Sequence, residues 1–253
     1  MELTQKGLLV MGERIIFHID ANSAFLSWTA AYRVKVLGDP VDLRDIPSVI
    51  AGDKESRHSI ILAKSTRAKK YGIRTGEPLF QALQKCPELV IAPPDYELYV
   101  TASRKFVEML RQFSPKVEQY SIDEAWVDMT GTERLWGAPR LAAEKMRSRI
   151  WEELGFTVNV GISSNKLLAK MAGDFEKPNK VHTLFPEEME GKFWPLPVRD
   201  LFLVGAATEK KLNLMGIYTI GDLARADVQI LKRKLGKHGE TSSRKAPMCC
   251  SLW

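Results

Sequence analysis

Three carboxylates at the ends of apolar runs are the residues best suited to do chemistry. Asp123 and Glu124 close the stretch Tyr120-Ser121-Ile122-Asp123-Glu124, and Asp20 follows Arg14-Ile15-Ile16-Phe17-His18-Ile19, which reads as a central strand. Carboxylates meeting at strand ends suit hard, oxygen-seeking ions such as Mg²⁺, which bind carboxylates and substrate phosphates in preference to His or Cys. Successive side chains of a strand point to opposite faces, so Asp123 and Glu124 share one pocket only where the chain bends. The polar break between Val117–Ile122 and Ala125–Met129 supplies such a bend. The plainer reading is that these are solvated turn residues.

Two further stretches have chemical potential. Val160-Gly161-Ile162-Ser163-Ser164-Asn165-Lys166 runs from a buried strand through a polar turn into a helix, where free amides and Lys166 suit a phosphate. A Ser-capped helix with solvated lysines is the alternative. Leu201–Leu212 followed by Met215–Ala224 resembles a helix-hairpin-helix, whose amides and following lysines grip a DNA backbone without reading bases; a plain helical hairpin is the alternative.

The elements that must position these residues follow from periodicity. Strands are predicted over Arg14–Ile19, Ser59–Lys64, Glu88–Ala92, the acidic hairpin and Thr157–Ile162. Helices are predicted over Ser23–Val36, Pro78–Lys85, Tyr96 to Pro115, Pro139–Leu154 and Asn165–Ala172, with Tyr99, Phe106, Met109, Leu110 and Phe113 facing inward from the third. With Ser23–Pro94 set aside, the order is strand, helix, strand, strand, helix, strand. That is an α+β, ferredoxin-like βαββαβ arrangement, and it would bring Asp20 beside the Asp123-Glu124 hairpin. The excised piece forms a small module of its own, and Lys-rich short helices after Pro178 form a third.

At 253 residues there is room for two or three small domains. The hydrophobic fraction of 45% and charged fraction of 27% exclude a disordered or fibrous chain. No apolar run is long enough to span a bilayer, and the N-terminus lacks the pattern of a signal peptide, so a cytoplasmic setting without a membrane partner is expected. Cys86, Cys249 and Cys250 are too few and wrongly spaced for a disulfide framework or zinc site. A net charge of +6 fits a polyanionic partner without requiring one.

Taken together, in this order and spacing, the Ser-Ile-Asp-Glu pair, Asp20, the Gly-Ile-Ser-x-Asn-Lys block and the hairpin resemble the Y-family translesion DNA polymerases over roughly residues 12 to 240, in particular the bacterial polymerase IV and UV-damage-repair branch. The resemblance implies a palm over residues 12–24 and 95–173, fingers over 25–94, and a helix-hairpin-helix thumb over 174–240. It implies template-directed, error-prone DNA synthesis past damaged bases, by a two-metal nucleotidyl transfer without proofreading. Asp20, Asp123 and Glu124 would hold two Mg²⁺ ions, with the Ala21 carbonyl as a further ligand. Phe25 matches the steric gate that excludes a 2′-hydroxyl, with a core aromatic as the alternative reading. Thr66 and Lys69 stand at the fingers positions that contact the triphosphate, and Lys166 matches a second triphosphate-binding basic residue. Gly205, Lys210 and Lys211 would meet the DNA backbone. Primer-template DNA and deoxynucleoside triphosphates are the implied partners; a sliding clamp is a candidate, although no clamp-binding tail is evident.

The sequence departs from the family pattern at several points. Thr66 and Lys69 replace a usual Tyr and Arg, and Lys lacks the bidentate fork of Arg. Asn22 stands where an acidic residue is common, and Leu203 where the first hairpin Gly is expected. Residues 241–253 show no helical or strand period, and the little-finger domain that follows the thumb in family members is not found, so weak DNA affinity is expected. Two rival functions remain at this level: a catalytically weak fragment that binds DNA or a repair partner, and a nucleotide cyclase, which also sets carboxylates and metals on a βαββαβ sheet.

Overall fold

The computed structural model describes residues 14–53 and 58–236. In chain order, β1 (Ile16–Ala21) leads into α1 (Ala24–Lys35), followed by β2 (Ser48–Ala51), β3 (Ile61–Lys64), α2 (Thr66–Lys70), α3 (Leu79–Lys85) and β4 (Val90–Ala92). The long α4 (Tyr96–Arg111) precedes the hairpin of β5 (Val117–Gln119) and β6 (Glu124–Asp128), then α5 (Glu133–Trp136), α6 (Pro139–Arg149), β7 (Val158–Ser163), α7 (Lys166–Gly173) and β8 (Val181–Thr183). Short helices α8 (Met189–Lys192), α9 (Ala206–Asn213), α10 (Ile220–Arg225) and α11 (Val228–Leu235) complete the described chain. The expected irregular tail and the N-terminal stretch lie outside the described residues.

The larger sheet has the order β5-β6-β1-β7-β8. β1 lies antiparallel to both β6 and β7, and β8 adds to the edge parallel to β7. β1 begins and ends two residues later than the periodicity predicts, so Asp20 sits within the strand rather than beyond it. Alternation along β1 sends Phe17, Ile19 and Ala21 into the main core, where they meet α1, α4 and α6 residues such as Trp28, Tyr99, Phe106 and Met146. α4 carries the predicted stripe: Tyr99, Phe106, Met109 and Leu110 are buried, Phe113 just beyond its end is buried too, and Asp95 caps its start by accepting from Leu98 N at 2.9 Å.

On the other sheet face, α7 lies directly against β7. A Cβ at Gly161 would stand 1.9 Å from the Ala169 carbonyl oxygen and 2.4 Å from Gly173 N, so only glycine permits this approach. The opposite side of α7, through Leu168, Met171 and Ala172, packs into a second core with Leu184, Phe193, Leu212, Ile220 and Leu231. A third core, with Val49, Ile61, Leu79 and Cys86, backs a smaller sheet of order β3-β2-β4. Among the described residues, no helix is long and apolar enough to cross a membrane.

Candidate active site

The antiparallel pairing of β1 with β6 sets Asp20 directly opposite Glu124. Ala21 N then donates to the Asp123 carbonyl at 3.0 Å, which fastens the strand end to the tip of the acidic hairpin. The expected bend is present: Tyr120 N and Ser121 N donate to the Glu124 carbonyl at 2.9 and 3.2 Å, and Ser121 Oγ donates to Asp123 Oδ1 at 2.7 Å. The turn takes Asp123 out of strand alternation, so both members of the adjacent pair stay near Asp20.

Asp20 and Asp123 line one cavity of about 460 Å³, shared with Ala21, Phe25, Lys64, Thr66, Lys69 and Lys177. Its two walls have opposite charge. Burial raises the Asp20 carboxyl above the ordinary carboxylate range, an effect that its ion pair with Lys177 only partly offsets. Burial alone would lower the Lys177 ammonium, but Asp20 and Asp174, the latter at 2.8 Å, outweigh it and raise that group. Lys64 is lowered, first by burial and then by the neighbouring charge of Lys69; its Nζ donates to Thr75 Oγ1 at 3.2 Å.

Glu124 is held differently. His18 Nε2 lies 2.9 Å from Glu124 Oε2, and the Lys170 ammonium pairs with the same oxygen. The His18 hydrogen bond is the larger cause, with Lys170 adding to it against burial, and together they depress the Glu124 carboxyl to about 2. Glu124 therefore does not line the cavity, and among the described residues no three His, Cys, Asp or Glu side chains converge closely enough to hold an ion. Asp20 and Asp123 thus share the cavity, while Glu124, opposite Asp20 in the β-ladder, is held beside it by His18 and Lys170. The donor set still fits a hard divalent cation. Asp20 is a desolvated carboxylate whose charge is met by an ammonium where a cation would serve, and Oε1 of Glu124 takes part in neither of its contacts.

Phe25 lines the cavity and also stacks on Tyr99 at a centroid distance of 4.5 Å. The Lys166 ammonium pairs with Glu118 and lies 5.5 Å from the Trp126 ring centroid, in a separate cavity, while Asn165 Oδ1 caps the start of α7 by accepting from Leu168 N at 2.9 Å. The lysine that faces the carboxylates is Lys177, which the sequence reading missed, as it missed Lys64 and Lys170. All three fall in ordinary Lys-containing contexts, and only topology brings them to the strand ends.

In the C-terminal helices, Leu203 adopts φ +71°, the conformation for which a glycine was expected, and is 57% exposed. Gly205 precedes α9 with φ −88°, a conformation open to any residue, and Lys210 and Lys211 are exposed in the second half of that helix. Phe202 reaches back toward the acidic hairpin: its ring lies 6.3 Å from that of Tyr120, and Lys170 Nζ lies 5.2 Å from its centroid.

The pattern of the impB/mucB/samB family matches residues 19–174, from β1 through α7, the stretch that carries all three carboxylates. The chain belongs to this family. The resemblance to Y-family polymerases is thereby upheld, and two relatives extend it. DNA polymerase IV of Clostridium acetobutylicum is 51% identical over 226 residues, which are 89% of this chain and 57% of that protein. DNA polymerase IV 1 of Bacillus subtilis is 41% identical over 233 residues, 92% of this chain and 54% of that protein. The chain thus spans a little over half the length of these curated relatives. Among solved structures, DinB from Sulfolobus solfataricus superposes with a TM-score of 0.80 at 25% identity, covering 94% of this Y-family chain and 68% of that one. An insertion ternary complex of Dbh DNA polymerase, at 23% identity and TM-score 0.80, shares the α+β fold.

Proposed function

We propose that this chain carries the nucleotidyl-transfer centre of a translesion DNA polymerase, adding deoxynucleotides to a primer on a damaged template. The observation that carries this reading is the cavity in which Asp20 and Asp123 face Lys64, Lys69 and Lys177, with Phe25 in its wall. Carboxylates opposite several ammonium groups suit a divalent ion and a triphosphate bound together, and an aromatic ring beside them suits discrimination at the sugar. The β5-β6-β1-β7 sheet with α4 and α6 is the ferredoxin-like palm, residues 25–94 are the fingers, and residues 174–240 are the thumb.

Asp20 and Asp123, with the Ala21 carbonyl and Oε1 of Glu124, would hold two Mg²⁺ ions, which supply the charge that activates the primer 3′-hydroxyl and orients the triphosphate. His18 and Lys170 fix Glu124 so that it reaches the site from one side only. Lys177 leaves Asp20 for the phosphates, and Lys69 meets them from the fingers as a point charge. Phe25 closes the space where a 2′-hydroxyl would lie. Exposed Lys210 and Lys211, after the hairpin of Leu203 and Gly205, touch the phosphates of primer-template DNA without reading sequence.

Primer extension by the purified protein tests the reading, with Asp123→Asn as the control. The substitution should reduce single-nucleotide incorporation by several orders of magnitude, with circular dichroism unchanged. Extension by Asp123→Asn at near the parent rate would remove the acidic hairpin from the chemistry.

A further inference from the structure

Lys177 sits on a loop with little regular structure, yet its ammonium meets Asp20, and two buried carboxamides account for that. Asn159 on β7 is fully buried and uses its whole hydrogen-bonding capacity. Its Nδ2 donates to the carbonyls of Gly173 at 3.0 Å and Glu176 at 2.6 Å, and its Oδ1 accepts from Lys180 N at 3.4 Å and Asn22 Nδ2 at 3.1 Å. Asn22, two residues past Asp20 and 9% exposed, in turn accepts from Asn179 N at 2.9 Å through its Oδ1. The pair therefore grips the chain immediately before Lys177, at Glu176, and just after it, at Asn179 and Lys180. Asn22 is itself fixed, since its N donates to the Thr157 carbonyl at 3.0 Å and its carbonyl accepts from Ser27 Oγ at 2.6 Å.

We propose that Asn22, together with Asn159, is a positioning residue that sets Lys177 at the cavity and so governs nucleotide affinity. This rests on the polymerase reading above and adds a role for the position where the sequence departs from the usual acidic residue. A carboxylate at position 22 accepts from Asn179 N but cannot donate to Asn159 Oδ1, so the two-amide chain requires asparagine there. Asn22 touches no reacting atom in this scheme. Its effect passes through the backbone of the Lys177 loop, and it should appear in the KM for nucleotide and not in the rate of the bound complex.

The test is a double-substitution cycle with Asn22→Ala, Lys177→Ala and both together, read by single-nucleotide incorporation and by hydrogen exchange of the peptide spanning residues 176–182. Asn22→Ala should accelerate exchange in that peptide and raise KM for the deoxynucleotide about tenfold, the scale of one charge-assisted contact, with kcat within about twofold. In the Lys177→Ala background, the same substitution should leave KM unchanged. Unchanged exchange would overturn the clamp itself, whatever the activity. A multiplicative effect on KM in the double variant, or a loss confined to kcat, would overturn positioning through Lys177. Faster exchange in a protein that extends no primer would instead sink the polymerase reading, and the nucleotide role of Lys177 with it.

Discussion

The two strand-end carboxylates Asp20 and Glu124 face each other across a β-ladder, yet they should respond to neutralisation with opposite signs. Glu124 is depressed from its ordinary 4.5 to about 2, first by His18 and then by Lys170. A change of that size corresponds to at most roughly 3 kcal/mol of folding free energy at neutral pH, at about 1.4 kcal/mol for each tenfold change in proton affinity, and solvent screening of this half-buried carboxylate reduces it toward about 2. Because the folded value is the lower one, this stability is fully present above about pH 4.5 and is lost as pH falls toward 2. Glu124→Gln also strands Lys170, which is only 9% exposed, beside a neutral amide. In the presence of a chelator it should therefore lower the unfolding free energy by about 2–3 kcal/mol at pH 7, with the difference closing by pH 2–3. Asp20 runs the other way: its folded carboxyl is raised by burial, so its ionisation opposes folding as pH rises above the unfolded value near 3.8. Asp20→Asn should leave stability unchanged or improve it at pH 7, since Lys177 keeps Asp174 as a partner. Urea unfolding of the three proteins at several pH values is the assay. A Glu124→Gln variant at least as stable as its parent at pH 7, or a loss that does not change with pH, would refute the assignment of Glu124 to His18 and Lys170.

Other expectations concern the walls of the cavity and the C-terminal helices. Phe25→Ala should raise the ratio of ribo- to deoxynucleotide incorporation efficiency, and loss of its stacking on Tyr99 should cost about 1–3 kcal/mol in thermal unfolding; an unchanged ratio would leave only the packing role. Leu203→Gly should relieve roughly 1 kcal/mol of left-handed backbone strain at a 57% exposed side chain and raise the urea midpoint, whereas a lowered midpoint would mean that Leu203 packs more productively than its exposure implies. Lys210→Ala and Lys211→Ala should each weaken binding of labelled primer-template equally for unrelated sequences and flatten the salt dependence by about one phosphate contact, and a sequence-dependent loss would exclude a purely backbone role.

How far the site could be read in advance depended on whether a residue's role is local. The strand that ends near Asp20 and the bend at Asp123 were legible because strand periodicity and a polar break fix them within a few residues of themselves, whereas the place of Phe25 came only from the family resemblance. The interior face of α4 was legible for the same reason, since a 3.6-residue repeat needs no partner to be recognised. Lys177 and Lys170 were not: each meets its carboxylate across long sequence separations, and nothing beside either lysine distinguishes it from the solvated lysines around it. The surroundings of Lys166 were not legible either: a strand, a polar turn and a basic helix start are the local marks of a phosphate site, while the Asn165 cap on Leu168 N and the Glu118 partner of the ammonium declare themselves only in three dimensions. For a related reason, pairing β1 with β6 aligns Asp20 and Glu124 but cannot reveal that His18 and Lys170 take hold of one of them.

The eight residues of α7 are held on both sides, by the sheet at Gly161 and by the C-terminal helices through Leu168 and Met171. β2 is shared in the same manner, with Ile50 in the main core and Val49 and Ala51 in the core behind the smaller sheet. Each body thus lends an element to its neighbour, and melting one uncovers an apolar surface of the next. Heat or urea should accordingly dissolve the assembly in one cooperative step, and a cut at either seam would yield pieces with a bare hydrophobic flank, prone to aggregate rather than fold alone.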